Sequence, residues 1–334
     1  MVHTDEKAAA RRPALSHQYR KRYHSRVAEV AAAETGLKAA APAVPVAAAA
    51  TSAENFQRYY EEAGPDYAAW SAAFNMHFGY FRWGLNPLDR EAMLEQMNVE
   101  VLRRMGVENL DAPRVLDMGC GLGATLRSLA RRLPTADLHG ITLVPWQLDQ
   151  AKELNRAHEG GGGITLALGD YERTRYPAGR FDGVCAIESS CYARGANKSA
   201  FLREAHRLLR PGGRMVVADG FRGPGKLRGP QKAIFRKLCE CWVIDTLGEI
   251  EPFARELERI GFGDITVERV QARVAPSVLH VPWVTLKFLL SSVVFGGRRM
   301  TRARWNNVLA PILLPFVGFP VGPVGYYIVS ATRV

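Results

Sequence analysis

The chain has 334 residues, 47% of them hydrophobic and 9% aromatic, which is ample material for one large packed domain with additions or for two small ones. Its formal net charge of +11 favours anionic partners, either nucleic acid or an acidic membrane surface. Five cysteines (Cys120, Cys185, Cys191, Cys239 and Cys241) form no CxxC pair, which argues against a zinc site or a disulfide framework and for a reducing cytoplasm.

In chain order, residues 1 to about 52 mix Ala, Pro and scattered Arg, and the stretch Ala39 to Ala50 has no polar anchor. Such a leader buries too little apolar surface to offset its ordering entropy. It is predicted to be disordered, or at most a loosely docked helix over Ser16 to Glu34. It lacks the basic-then-apolar layout of a secretory signal. From Asn55 the chain turns aromatic, with Phe56, Tyr59, Tyr60, Tyr67, Trp70, Phe74, Phe78, Tyr80, Phe81 and Trp83, and two helices with a turn fit there. Residues 87 to 106 show helical spacing (Leu88, Met93, Leu94, Met97, Val101, Leu102) closed by Gly106.

An alternating pattern begins at Arg114. A buried strand at Val115-Leu116, a glycine loop and a helix over Ala124 to Leu133 come first. A strand over Asp137 to Leu143 then leads to a helix starting near Pro145. Further strands are predicted at Ile164 to Leu168, Gly183 to Ile187, Arg214 to Ala218, Ile265 to Val270 and Gly325 to Thr332, with a helix over Lys198 to Leu209 among them. Strands alternating with helices imply a doubly wound α/β fold with a seven-stranded, mostly parallel sheet and right-handed crossovers.

Residues 275–320 form an insertion before the last strand. Apolar blocks (Val281 to Phe295 and Val308 to Phe319) flank Arg298, Arg299, Arg302 and Arg304, and no Asp or Glu occurs from Val270 to Val334. One reading is a solvated basic face. The other is an interfacial element, with apolar blocks in lipid and arginines at head groups, joined by the run Arg222, Lys226, Arg228, Lys232, Arg236 and Lys237. Nucleic acid ranks lower as a partner, because no binding motif for it is evident and apolar blocks suit lipid better. No uninterrupted run of about 18 apolar residues occurs, so a spanning helix is not predicted. A soluble cytoplasmic protein, peripheral at the membrane at most, is the expectation.

The chemistry starts at Asp117-Met-Gly119-Cys-Gly121-Leu-Gly123, directly after a strand and before a helix. Glycines there let backbone approach a bound ligand closely, and the Asp117 carboxylate is suited to orient backbone or a ligand ammonium group. Gly119-x-Gly121-x-x-Ala124 also satisfies the dinucleotide fingerprint, so the glycines alone leave both cofactors open. The rest of the pattern discriminates. Gly140-Ile-Thr-Leu-Val-Pro-Trp-Gln147, Gly169-Asp170, Phe181-Asp182 and Leu208-Leu-Arg-Pro-Gly-Gly-Arg214 follow in order. Together these motifs resemble the class I S-adenosylmethionine methyltransferases, from about Asn75 to Val334. The resemblance implies that Asp117, Gly119 and Gly121 hold the methionine and ribose side of S-adenosyl-L-methionine. It implies that Asp170 binds the adenine amino group, with Tyr171 and Ile187 beside the cofactor. Many relatives carry an acidic residue at the end of the second strand; here Thr142 stands there, with Gln147 following, as in the sterol, tocopherol and cyclopropane-lipid branches.

Ala186-Ile-Glu188-Ser-Ser-Cys191-Tyr192-Ala193 is similar to a segment of the sterol C-methyltransferases, with Tyr192 in place of His. Asn75-Met-His-Phe-Gly-Tyr80 resembles the aromatic segment before the core in lipid-quinone and isoprenoid methyltransferases. The resemblance implies methyl transfer to a hydrophobic, isoprenoid- or sterol-like acceptor, at carbon. Placing the acceptor atom beside the methyl supplies much of the rate of an in-line displacement. If a carbocation develops, the rings of Tyr80, Phe81, Trp83 or Tyr192 are suited to stabilise it. Glu188 is suited to offset the charge or take the departing proton. His77 is a candidate base, and Cys191 a pocket residue. Each has a plainer reading: Glu188 as a helix cap, His77 as a turn residue, Cys191 as a small hydrophobe, and most of the aromatics as core. No metal site is expected. The rival functions are O- or N-methylation of a natural product, an NAD(P)-linked oxidoreductase, and a non-catalytic module binding membrane or nucleic acid.

Overall fold

The computed structural model describes residues 46–334 apart from 157–162, 298 and 319–321. The expectation for the leader therefore lies outside the described residues, except that Val46 to Ser52 begin a helix, α1 (Val46–Ala63). A turn leads from it into the short α2 (Tyr67–Trp70), and an irregular stretch into α3 (Arg90–Met105). Asp89 caps α3 by accepting the Ala92 N–H at 3.0 Å, and Gly106, at φ 68°, ends it in a left-handed cap. Met93, Leu94, Met97, Val101 and Leu102 of the predicted pattern are buried, but Leu88, the first of it, precedes the helix and is exposed.

The α/β core follows as β1 (Arg114–Met118), α4 (Ala124–Arg132), β2 (Asp137–Thr142), α5 (Pro145–Arg156), β3 (Gly163–Leu168), β4 (Phe181–Ile187), α6 (Ser199–Leu208) and β5 (Leu209–Arg222). The chain continues through α7 (Pro230–Cys241), β6 (Gly248–Glu249), α8 (Ile250–Ile260) and β7 (Phe262–Arg269). The strand order is β3-β2-β1-β4-β5-β8-β7, where β8 is Val324–Arg333. All seven predicted strands are present, and a two-residue β6 adds an eighth by pairing with β5. Successive residues supply opposite faces: Val115, Val216 and Ile328 pack on one side, and Leu116, Val217 and Val329 on the other. A sheet covered on both faces needs the near-continuous apolar runs this sequence has. Strand order reverses between β1 and β4, the point at which open sheets of this kind bind ligands beyond the strand C-termini.

Strand β8 runs antiparallel to both β5 and β7, with Gly220 opposite Tyr326. Between β7 and β8 lies the insertion, entirely helical in its described elements: α9 (Gln271–Val278), α10 (Val281–Phe288) with a π-helical end (Leu289–Val294), and α11 (Arg302–Gly318). Gln271–Val294 is one 24-residue helical run with a mean hydropathy of 1.5 over its most apolar stretch, long and apolar enough by composition to cross a bilayer. The sequence criterion missed it because polar residues such as Ser277, His280 and Lys287 interrupt the run without lowering its average much. One face of it is held by the domain. Ser277 Oγ accepts the Gly79 N–H at 2.8 Å, His280 Nε2 contacts the Pro87 carbonyl at 2.8 Å, and Val274, Val281 and Phe288 are buried.

The arginine knot divides. Arg302 stays exposed beside Glu240 (2.9 Å), whereas Arg304 turns inward, donating to the Glu62 carbonyl at 3.0 Å and lying 3.6 Å from Asp66. Together with the Tyr59 hydroxyl on Asn307 (3.0 Å), it ties α1 to α11.

Lys198 is fully buried at a left-handed φ of 53°. Its ammonium donates to the carbonyls of Cys191 (3.0 Å), Ala193 (2.6 Å) and Thr246 (2.7 Å), clamping the loop after β4 to the segment before β6. Replacement by Met strands three buried carbonyls, so Lys198→Met is expected to lower unfolding free energy by about 3 kcal/mol in urea titration. A change under about 1 kcal/mol would remove the clamp from the account.

Candidate active site

The C-terminal ends of β1 to β4 carry the predicted cofactor residues. Gly119 (φ 107°), Gly121 (φ 50°) and Gly123 (φ 76°) all adopt backbone conformations open to glycine. The Gly119 and Cys120 N–H groups both donate to the Ile141 carbonyl at 3.0 Å, folding the loop back over β2. A Cβ at Gly119 would sit 2.4 Å from Ser189 Cβ, whereas one at Gly121 would meet only the flexible Met76 sulfur at 3.2 Å. Thr142 donates to Gln147 Oε1 at 2.7 Å, so the two are joined at the end of β2. Tyr171 donates to the Ser189 carbonyl at 2.8 Å, Ile187 is buried at the end of β4, and the exposed Asp170 accepts the Glu172 N–H at 2.8 Å.

Asp117 is buried, and burial alone pushes its carboxyl up to about 7, with no cation among the described residues offsetting it. A positively charged ligand in a glycine cradle is what this end of β1 accommodates, and S-adenosyl-L-methionine, with its sulfonium and ammonium groups, fits both features.

Next to this cradle lies a cavity of about 170 Å³. Met76 joins the two: it lines the cavity, faces Gly121, and its sulfur lies 4.0 Å from Gln147 Nε2. The walls are mostly aromatic and aliphatic. They come from α1 (Tyr60), α2 (Tyr67, Trp70), the loop after β4 (Glu188, Cys191, Tyr192), β8 (Tyr326) and the inner faces of α10 and α11.

Glu188 sits at φ 47°, a left-handed conformation that is costly for a residue with a Cβ and that clusters at functional sites. Its Oε1 accepts the Phe78 N–H at 2.6 Å and the Tyr326 hydroxyl at 2.9 Å. Burial, reinforced by nearby Asp219, raises its carboxyl to about 8 against the pull of those two hydrogen bonds. Asp219, at the C-terminal part of β5, accepts the Ser190 hydroxyl (2.7 Å) and the Cys191 N–H (2.9 Å), which sets the turn that presents Cys191 and Tyr192. The Tyr192 and Tyr60 hydroxyls meet at 2.9 Å.

Other predicted residues go elsewhere. His77 reaches the cavity edge, but its ring nitrogens lie against the Phe78 carbonyl (2.9 Å) and Asn98 Oδ1 (3.2 Å), and burial lowers its pKa. Both ring nitrogens are thus engaged inside the protein. Tyr80, Phe81 and Trp83 do not line the cavity. The chain leaves it at Gly79, which packs so closely on Met93 that a Cβ there would approach to 2.6 Å, and Phe81 N–H then pairs with the Arg273 carbonyl. Trp83 ends 80% exposed. The rings that line the cavity include Tyr60, Tyr67, Trp70, Phe78, Tyr192, Trp242, Phe288 and Tyr326 instead. Asp219 was open to sequence reasoning, as a carboxylate closing the apolar run Val216-Val217-Ala218 where ligands bind. Tyr326 was not, because only antiparallel pairing brings β8 to that spot.

Residues 115–213 match the family model described as a methyltransferase domain. The chain is similar to 2-methyl-6-phytyl-1,4-hydroquinone methyltransferase of Synechocystis, with 31% identity over 78% of this chain and 81% of that protein. It is also similar to cycloartenol-C-24-methyltransferase of Arabidopsis thaliana, with 30% identity over 73% of this chain and 71% of that protein. Among solved structures, a cyclopropane synthase of Mycobacterium tuberculosis superposes with a TM-score of 0.70 at 16% identity, covering 84% and 98% of the two chains. A geranyl diphosphate methyltransferase in complex with geranyl diphosphate and sinefungin gives 0.64 at 16% identity, covering 85% and 100%.

Two expectations follow for the cradle. Gly119→Ala should weaken sinefungin binding by calorimetry far more than Gly121→Ala, by over about tenfold, because only the first meets packed backbone-proximal atoms and strain together. Equal losses would show that the clash does not govern. Asp117 binds a cation only when ionised, so cofactor affinity should hold above about pH 7 and fall roughly tenfold per unit below it. In Asp117→Asn that slope should disappear.

Proposed function

The chain belongs to the S-adenosylmethionine-dependent methyltransferases, and within that family we propose that it methylates carbon in an uncharged, isoprenoid- or sterol-like acceptor. The observation that carries this reading is the composition of the cavity wall. Its described residues include the carboxyl groups of Asp66, Glu188 and Asp219 and many aromatic rings, but no Lys or Arg. A diphosphate or carboxylate in that space would be buried without a cation to pair with, which is costly. The similarity to a phytyl-hydroquinone methyltransferase and a cycloartenol C-24-methyltransferase supports an apolar acceptor, and the second supports carbon.

When bound, the cofactor supplies an electrophilic methyl group on a sulfonium. The Asp117 carboxylate and the glycine loop hold it, and Thr142 with Gln147 borders its ribose side. The aromatic walls orient the acceptor and exclude water, which supplies the positioning part of the rate. An acceptor double bond that gains a methyl group through its π pair is left with positive charge on the adjacent carbon. The faces of Tyr60, Tyr67, Tyr192 and Tyr326 are suited to stabilise that charge. Glu188 then accepts the proton whose loss restores the double bond; its second oxygen is the one not engaged by Phe78 and Tyr326. The proposed setting is a reducing cytoplasm, in keeping with five cysteines that are all free and buried.

The test is transfer of labelled methyl into separated fractions of sterols and prenyl quinones on one side and geranyl diphosphate on the other. New C–CH₃ product in the neutral fraction supports the reading. Label in geranyl diphosphate, or in an O-methyl ether, overturns it. As a base Glu188 must be ionised, so kcat/KM should rise with pH and level off near 8. Glu188→Gln should remove that limb and lower kcat by about a hundredfold. Tyr326→Phe deletes a hydrogen bond that favours the ionised carboxyl and should move the midpoint upward.

A further inference from the structure

The helices that wall the cavity are apolar on both sides. On the run through α10, Val281, Val284 and Phe288 face inward and line the cavity. Leu279, Trp283, Leu286, Leu290 and Val294 recur at intervals of three and four along the same run, yet all are 44–70% exposed. The contacting helix α11 repeats the arrangement, with Pro311 and Leu314 inward and an exposed stripe of Trp305, Leu309, Ile312 and Phe316. An amphipathic helix on a water-facing surface places polar residues on these positions. Single exposed apolar residues are ordinary, but two such stripes on adjoining helices mark an interaction surface.

Charge identifies the partner. No Asp or Glu occurs between Val270 and Val334, and Lys287, Arg299 and Arg302 are exposed around the stripes. Arg302 has an exposed pairing with Glu240, the kind of contact that exchanges readily. Helix α7, which packs along α11, adds exposed Lys232 and Arg236, with Arg228 just before it. Apolar stripes ringed by cations are complementary to an anionic bilayer, whose surface attracts the charges and whose acyl boundary takes the rings. The 24-residue run does not cross such a bilayer in this fold, because its inner face carries the cavity wall and the Ser277 and His280 contacts.

We propose that the outer faces of α10 and α11 dock this protein on an anionic lipid surface, with the wall of the acceptor cavity as the layer between the two. The docking stands on the surface alone; its value for fetching an apolar acceptor rests on the reading of the cavity given above.

Flotation of the full chain with phosphatidylcholine vesicles, with and without phosphatidylglycerol, tests it without reference to turnover. Binding to the anionic vesicles that weakens with salt is expected. The double variant Trp283→Glu/Phe316→Glu, at two exposed positions outside the cavity lining, should lose at least about tenfold in partition coefficient. Unchanged thermal midpoint and sinefungin affinity would show that the variant is folded. Equal flotation of variant and wild type overturns the proposal, as does a wild type left unbound at low salt. Should the wild type sediment as a dimer that the double variant dissolves, with no vesicle binding, the stripes face a second copy of the chain. Equal binding to pure phosphatidylcholine removes the anionic requirement and with it the role given to the arginines.

Discussion

One carboxylate oxygen of Glu188 gathers three distant parts of the chain. The residue itself follows β4, its Phe78 N–H partner belongs to the aromatic segment before the core, and its Tyr326 hydroxyl partner lies on the last strand. To reach both, Glu188 takes a left-handed backbone conformation that residues with a Cβ avoid. Three of the cavity's lining residues, Phe78, Glu188 and Tyr326, meet at this point. If it slipped, the N-terminal segment, the Cys191–Tyr192 turn and β8 would lose their common origin. The same burial that makes the junction rigid raises the carboxyl to about 8, so the group that organises the site is also near the right poise to trade a proton.

The two halves of the site use burial in different ways. At Asp117 a buried carboxyl that no cation among the described residues offsets becomes receptive to a charged ligand. In the cavity, a described wall that carries carboxyls but no Lys or Arg disfavours anions and suits developing positive charge. Met76 stands where the halves meet and thus borders both the glycine loop and the cavity.

The insertion before β8 extends this logic outward. Its helices bury one apolar face against the domain and leave the other exposed. Arg304 shows that position in a basic cluster does not decide role. Its neighbour Arg302 remains at the surface while it turns inward to Glu62 and Asp66, anchoring α1 instead of meeting a partner.

Local pattern alone determined the seven core strands, the helices between them and the glycine cradle. Period-two and period-3.6 burial, caps such as Asp89 and Gly106, and the demand of close backbone approach for glycine are all encoded over a few residues. The family resemblance at Glu188 and Tyr192 was legible for the same reason, since both lie in one contiguous stretch after β4. What the tertiary structure decided were the partners drawn from far away. Tyr326 enters the site only because β8 pairs antiparallel with β5, placing it opposite Gly220. Tyr80, Phe81 and Trp83, adjacent in sequence to residues that line the cavity, are carried off it by the tight packing of Gly79 on Met93. Which ring faces a ligand depends on where a chain turns after its last contact with the core, and that is set by long-range packing, to which sequence spacing is blind.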